Sequence, residues 1–189
     1  QALFSNNRFA LSISKIKDNK KIMQLLFKND IPILIHCDLG NYDNNTKYLK
    51  LITTFINTYN KNKIIWAHLG GLCKELTNID HNFHIKIIEN ILKKYKYIYI
   101  DISWNIVLNI INQEPLQLNA YVNLINNYSN RFIIGSDFVG SNNKTYKHYK
   151  NDISSLNIIK THLTSKAYIN IFLGKNYINL YKLKYKVPI

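Results

Sequence analysis

Ile64-Ile65-Trp66-Ala67-His68-Leu69-Gly70-Gly71 is an apolar run that ends on an imidazole and then on two glycines. It is short, continuous rather than alternating, and rich in β-branched and aromatic side chains. That predicts a strand buried on both faces, as in a parallel sheet covered by helices. The design recurs along the chain. Ile33-Leu34-Ile35 runs into His36, Ile98-Tyr99-Ile100 into Asp101, and Phe132-Ile133-Ile134-Gly135-Ser136 into Asp137. Phe9 to Ile13 is a further candidate strand upstream.

Between these runs the apolar residues change to helical spacing. Lys20–Lys28, Thr46–Tyr59, His84–Tyr95 and Ala120–Tyr128 each carry one apolar stripe and leave Lys and Asn on the other face. Further helical candidates follow the last strand at Tyr146–Ile159, Ser165–Phe172 and Asn176–Leu183. Successive candidate strands are about 22, 31, 34 and 34 residues apart, against roughly 31 per unit in a (β/α)8 barrel of about 250 residues. The expected fold is therefore α/β: either an open sheet, or about the last five β/α units of a barrel plus C-terminal helices. Residues 1–189 read as one domain, with no long linker or low-complexity block.

Composition narrows the class. Hydrophobic residues make up 47% and charged residues 19%, a globular balance that argues against intrinsic disorder. Cys37 and Cys73 are too few for a disulfide framework and read as buried thiols. No apolar stretch approaches the roughly 18 residues of a membrane span, and the start at Gln1 does not read as a signal peptide, so the cytoplasm is the default location. The net charge of +14 would suit a polyanion, but Lys is spread along the whole chain, so a solvated basic surface is the plainer reading.

The strand ends carry the chemistry. In parallel α/β folds they converge on one face, so His36, His68 and Asp137 can meet there although far apart in sequence. Two imidazoles and a carboxylate suit Zn2+, with Mn2+ or Fe2+ also compatible. Alone, each has a plainer role: a satisfied histidine, or an aspartate capping the next helix. Gly70-Gly71 admits positive φ and close backbone approach, whether for a site loop or a plain turn. His81 and His84, at i and i+3, read as surface residues for want of a third ligand nearby in sequence, and His148 and His162 as helix-surface residues.

At these residues the chain resembles the amidohydrolase superfamily, specifically its amidohydrolase-2 branch. The matching segments are Ile31–His36, Trp66–Gly71, Tyr99–Trp104, Arg131–Phe138 and Gly174–Tyr181, in the family's order. The resemblance implies a TIM-type barrel in which His36, His68, Asp101 and Asp137 end the last four strands. It implies a divalent metal, Zn2+ by preference, held by His36, His68 and Asp137. Asp137 would act as general base and then general acid. The family uses the His68 position both as a ligand and to polarise the substrate carbonyl. Asp101, Ser103 and Trp104 would face the substrate. The family's first strand carries a His-x-His metal pair that this sequence does not contain, so the expectation is a fragment whose N-terminal strands lie elsewhere.

The implied function is a metal-dependent hydrolase or decarboxylase acting on a small carbonyl-containing substrate through an activated water. Two alternatives stand beside it: a barrel nuclease of the TatD type, which places His, His and Asp on the same strands, and an inactive barrel serving as a basic binding module. The expected partner is a small-molecule substrate and not a membrane. Nucleic acid rests on the charge alone, and assembly with a second copy is left open.

Overall fold

The computed structural model of the chain describes residues 13–15, 19–73, 76, 79–104, 111, 114–138, 142–154, 156–185 and 187. Helices and strands alternate: α1 (Lys20–Lys28), β1 (Ile33–Ile35), α2 (Leu49–Thr58), β2 (Ile64–Trp66), α3 (His81–Lys94), β3 (Ile98–Ile102), α4 (Pro115–Asn127) and β4 (Phe132–Ile134). Four helices follow, α5 (Tyr146–Ser154), α6 (Leu156–Lys160), α7 (Ser165–Ile171) and α8 (Lys175–Tyr181), so the stretch expected as one helix over 146–159 is two. The candidate strand at Phe9–Ile13 falls on residues 9–12, outside the described residues, and on Ile13.

The strands form one parallel sheet in the order β1-β2-β3-β4, with Ile35 opposite Trp66, Trp66 opposite Ile100, and Ile100 opposite Phe132. Sequential parallel order with a helix between neighbours is the pattern of successive (β/α) barrel units.

Alternation along the strands sorts side chains into two faces. Ile64, Trp66, Ile98, Ile100, Ile102 and Phe132 share the main core with Ile52, Phe55 and Ile56 of α2, Ile88 and Ile91 of α3, and Tyr121 and Ile125 of α4. Each fully buried side chain of this size contributes roughly 1.5–3 kcal/mol. On the opposite face Ile65 and Ile133 pack with Tyr99 and with Leu180 of α8. By the same alternation Asp101 stands on that second face, at the C-terminal end of β3.

Helix boundaries follow their caps. The Asp80 carboxylate accepts the backbone N–H groups of Asn82 and Phe83, which starts α3 at His81 rather than at His84. Pro115 opens α4, earlier than Ala120, because its fixed φ suits the first helical turn. Arg131 donates to the carbonyls of Tyr95 and Ile98 and lies over the Tyr99 ring, which ties the start of β4 to that of β3. No helix among the described residues is long and apolar enough to cross a membrane.

Candidate metal centre at the strand ends

β2 leaves the sheet through a tight turn. His68, Leu69 and Gly70 adopt left-handed backbone angles in succession (φ 57°, 51° and 77°), and Gly71 follows at φ 81°. L-residues pay for this conformation, roughly 1–2 kcal/mol each. Six non-glycine residues have positive φ among those described, and four of them, His68, Leu69, Trp104 and Asp137, lie just past the C-terminal ends of β2, β3 and β4. Such backbone persists only where the surroundings over-determine it, and it clusters at functional sites.

Those surroundings are visible. The Leu39 N–H donates to the Gly71 carbonyl at 2.9 Å, and the Trp66 indole N–H donates to the Cys37 carbonyl at 2.7 Å. A side chain at Gly71 would stand 2.5 Å from the Cys37 carbonyl oxygen, so only glycine allows the loops after β1 and β2 to lie against each other. His36 and His68 are thereby brought together.

Their rings meet edge to face with centroids 4.8 Å apart, and His36 Nδ1 lies 3.1 Å from His68 Nε2. On the far side His68 Nδ1 is 3.0 Å from Ser103 Oγ, and the Ser103 hydroxyl donates to the Asp101 carboxylate. His36 Nε2 is 3.1 Å from Asp38 Oδ1. Directions follow from the two carboxylates, which accept and do not donate when ionised. With its proton given to Asp101, the Ser103 oxygen accepts from His68 Nδ1–H. Asp38 likewise accepts from His36 Nε2–H. In neutral rings these bonds leave His36 Nδ1 and His68 Nε2 as the nitrogens without a proton.

Two imidazole nitrogens 3.1 Å apart can share a proton as a hydrogen bond or a metal ion as two ligands. The spacing is within a few tenths of an ångström of that between two imidazole ligands of one tetrahedral zinc. Anchoring the far nitrogen of each ring on a carboxylate, directly or through a hydroxyl, is how proteins fix metal-binding histidines. The pair thus fits a divalent metal as two ligands. Among the described residues no group of three or more His, Cys, Asp or Glu side chains is placed to hold a metal ion.

Burial sets the electrostatics. His68, Asp101 and Ser103 are each buried. Loss of water holds the His68 pKa below its ordinary value, helped by the neighbouring His36 and opposed by the charges of Asp137 and Asp38. Burial pushes the Asp101 carboxyl up to about 6; the bond from Ser103 and one from the His68 backbone N–H pull it down, while the Asp137 charge raises it. Burial also pushes the Cys37 thiol up to about 12, which leaves it a packing residue.

The expected site residues therefore separate. His36 and His68 meet. Asp137 is exposed at the end of β4, and its charge acts on both His68 and Asp101. Asp101 and Ser103, expected to face a substrate, are buried, with the Ser103 hydroxyl bonded to Asp101 and 3.0 Å from His68 Nδ1. Trp104 is half-buried with its ring 5.1 Å from His68. Asp38, at His-x-Asp spacing after β1, joins the site through His36 without belonging to the residues expected from the sequence.

His84 is a correction. Expected on the surface, it is fully buried, with Nδ1 2.8 Å from the Tyr121 hydroxyl. Its position on the stripe of Ile87, Ile88 and Ile91 carried that information. His81, half-buried, also meets the Tyr121 hydroxyl, at 3.0 Å. His148 and His162 are exposed, as expected.

No protein-family model matches the chain, and no curated protein matches it in sequence. Solved structures match in fold, among them the following two. One is a zinc-bound amidohydrolase from Burkholderia multivorans, with a TM-score of 0.62 at 14% identity over 90% of this chain and 60% of that one. The other is dihydroorotase from Campylobacter jejuni, with a TM-score of 0.62 at 17% identity over 96% of this chain and 56% of that one. The chain thus spans about three-fifths of the length of each. With its four parallel strands in barrel order, it has the α/β fold of part of an amidohydrolase-type barrel.

Proposed function

We propose that this chain contributes His36, His68 and Asp137 to the divalent-metal centre of a hydrolase acting on a small carbonyl-containing substrate. The observation that carries the reading is the approach of His36 Nδ1 and His68 Nε2 to 3.1 Å, with each ring anchored on the far side toward a carboxylate. Likeness in fold to a zinc-bound amidohydrolase supports the choice of metal and of reaction.

A divalent metal, Zn2+ by preference, supplies Lewis acidity that polarises a carbonyl and makes hydroxide available near neutral pH. The chain's own residues do the rest. Asp38 and the Ser103–Asp101 pair keep His36 and His68 in the tautomers that turn lone pairs inward. Asp137, exposed beside them, takes a proton from the attacking water and returns it to the leaving group. The Trp104 ring walls the side of His68 and keeps water from it. A catalytic centre takes three protein ligands; His36 and His68 supply two of them, and Asp137 would have to move toward the pair on metal binding to supply the third.

The test is metal uptake by the purified chain. We expect about one equivalent of zinc, lost in His36→Ala and in His68→Ala. Asp137→Asn should keep the fold and abolish hydrolysis of carbonyl substrates. A wild-type chain that takes up no zinc, or a His36→Ala chain that keeps it, would end the assignment. Cleavage of single-stranded DNA by the metal-loaded chain, with no turnover of esters, amides or lactones, would move the reading to a nuclease.

A further inference from the structure

Away from the strand ends, the described residues hold a second polar chain, through the packing between α3 and α4. The Tyr121 hydroxyl lies 2.8 Å from His84 Nδ1 and 3.0 Å from His81 Nδ1, and His84 Nε2 lies 3.4 Å from the Gly70 carbonyl oxygen. The carbonyl can only accept, so His84 carries its proton on Nε2. Its Nδ1 then accepts, and the tyrosine donates to it. The tyrosine oxygen in turn accepts from His81 Nδ1–H. Every bond runs one way, from half-buried His81 to the backbone of the turn that carries His68.

We propose that Tyr121 and His84 are positioning residues for His68: the tyrosine fixes the His84 ring so that it grips the Gly70 carbonyl, and with it the left-handed turn that aims His68 at His36. The importance of that aim rests on the reading of His68 as a metal ligand.

Packing alone does not ask for these two side chains. Both are fully buried on apolar stripes, His84 with Ile87, Ile88 and Ile91, and Tyr121 with Leu118, Val122 and Ile125. Leu and Phe would fill the same positions without polar atoms to desolvate. The turn, by contrast, needs holding, since His68 and Leu69 sit at φ 57° and 51°. α3 also lies flush against it: a Cβ at Gly70 would stand 3.0 Å from Ile88 Cγ1.

The experiment is imidazole 15N NMR of the full chain together with zinc titration. Tyr121→Phe removes one oxygen and should shift the His68 ring signals as well as those of His84. It should also weaken zinc binding about ten- to a hundredfold, the usual effect of losing an outer partner of a ligand. His84→Leu should do the same. His84→Gln, which can present an N–H near the Nε2 position, should restore the His68 signals in part. Ile125→Val, a core truncation on the same helix face, lowers stability without touching the chain and should leave the His68 signals in place. Unmoved His68 signals in both Tyr121→Phe and His84→Leu would overturn the proposal, as would an equal displacement by Ile125→Val. If the wild type binds no zinc while Tyr121→Phe still moves His68, the brace stands and the metal reading falls.

Discussion

A serine hydroxyl has one proton to give, and at Ser103 the partner that takes it is the Asp101 carboxylate. That choice fixes the neighbouring bond, since the oxygen can then only accept from His68 Nδ1, 3.0 Å away. Ser103→Ala should therefore act through His68 although it touches no metal. We expect zinc affinity to fall about ten- to a hundredfold, with a loss of about 1–3 kcal/mol in stability as the buried carboxylate loses its donor. Ser103→Thr, which keeps the hydroxyl, should recover most of the affinity. Competition against a chromophoric chelator measures both, and equal affinities for the alanine variant and the wild type would remove the serine from this role. In the sequence, Asp101 and Ser103 could be placed at a strand end but not oriented. A strand-end polar residue can look toward solvent or toward the next strand, and only the neighbouring loop decides.

Gly70 and Gly71 were legible as a place for positive φ. That His68 and Leu69 share the conformation was not, because L-residues disfavour it locally and tertiary contacts impose it here. The two glycines differ in what surrounds them. At Gly71 an added Cβ meets backbone, the Cys37 carbonyl at 2.5 Å and the Leu39 nitrogen at 2.8 Å. At Gly70 it meets the Ile88 side chain, at 3.0 and 3.2 Å, which can give. Gly71→Ala should cost on the order of 3 kcal/mol or more, about a 6–12 °C drop in melting temperature for a chain of this size. Gly70→Ala should cost on the order of 1–2 kcal/mol, chiefly from its backbone angle. Thermal melts followed by circular dichroism rank the two. A Gly71→Ala chain as stable as the wild type would mean that the loops after β1 and β2 are not in the close contact described. The four described strands, by contrast, lie within a residue or two of their apolar runs, including β1, whose Leu34 is exposed.

Across the whole molecule, two buried titratable groups oppose each other as pH falls. Burial holds His84 down at about 4, below the ordinary 6.5, so its contribution to stability is full above pH 6.5 and is lost as pH falls toward 4. Burial holds Asp101 up at about 6, above 3.8, so its contribution is full below pH 3.8 and is lost as pH rises through 6. Sequence periodicity had both facts within reach, since His84 shares a helical stripe with isoleucines and Asp101 ends an apolar strand. What it lacked was Tyr121, about one β/α unit further on, which gives the buried imidazole a partner. Between pH 7 and pH 5, loss of the His84 contribution costs about 2 kcal/mol, and Asp101 returns about 1 kcal/mol. Burial lowers the pKa of His68 and His81 as well, so the histidines prevail and the wild type should weaken on acidification. Asp101→Asn removes the opposing group: it should be more stable than the wild type at pH 7 and lose stability more steeply toward pH 5. His84→Gln should flatten the profile or reverse it. Urea unfolding at the two pH values, followed through the fully buried Trp66, separates the cases. Parallel profiles for all three proteins would mean that neither group titrates differently in the folded and unfolded chain.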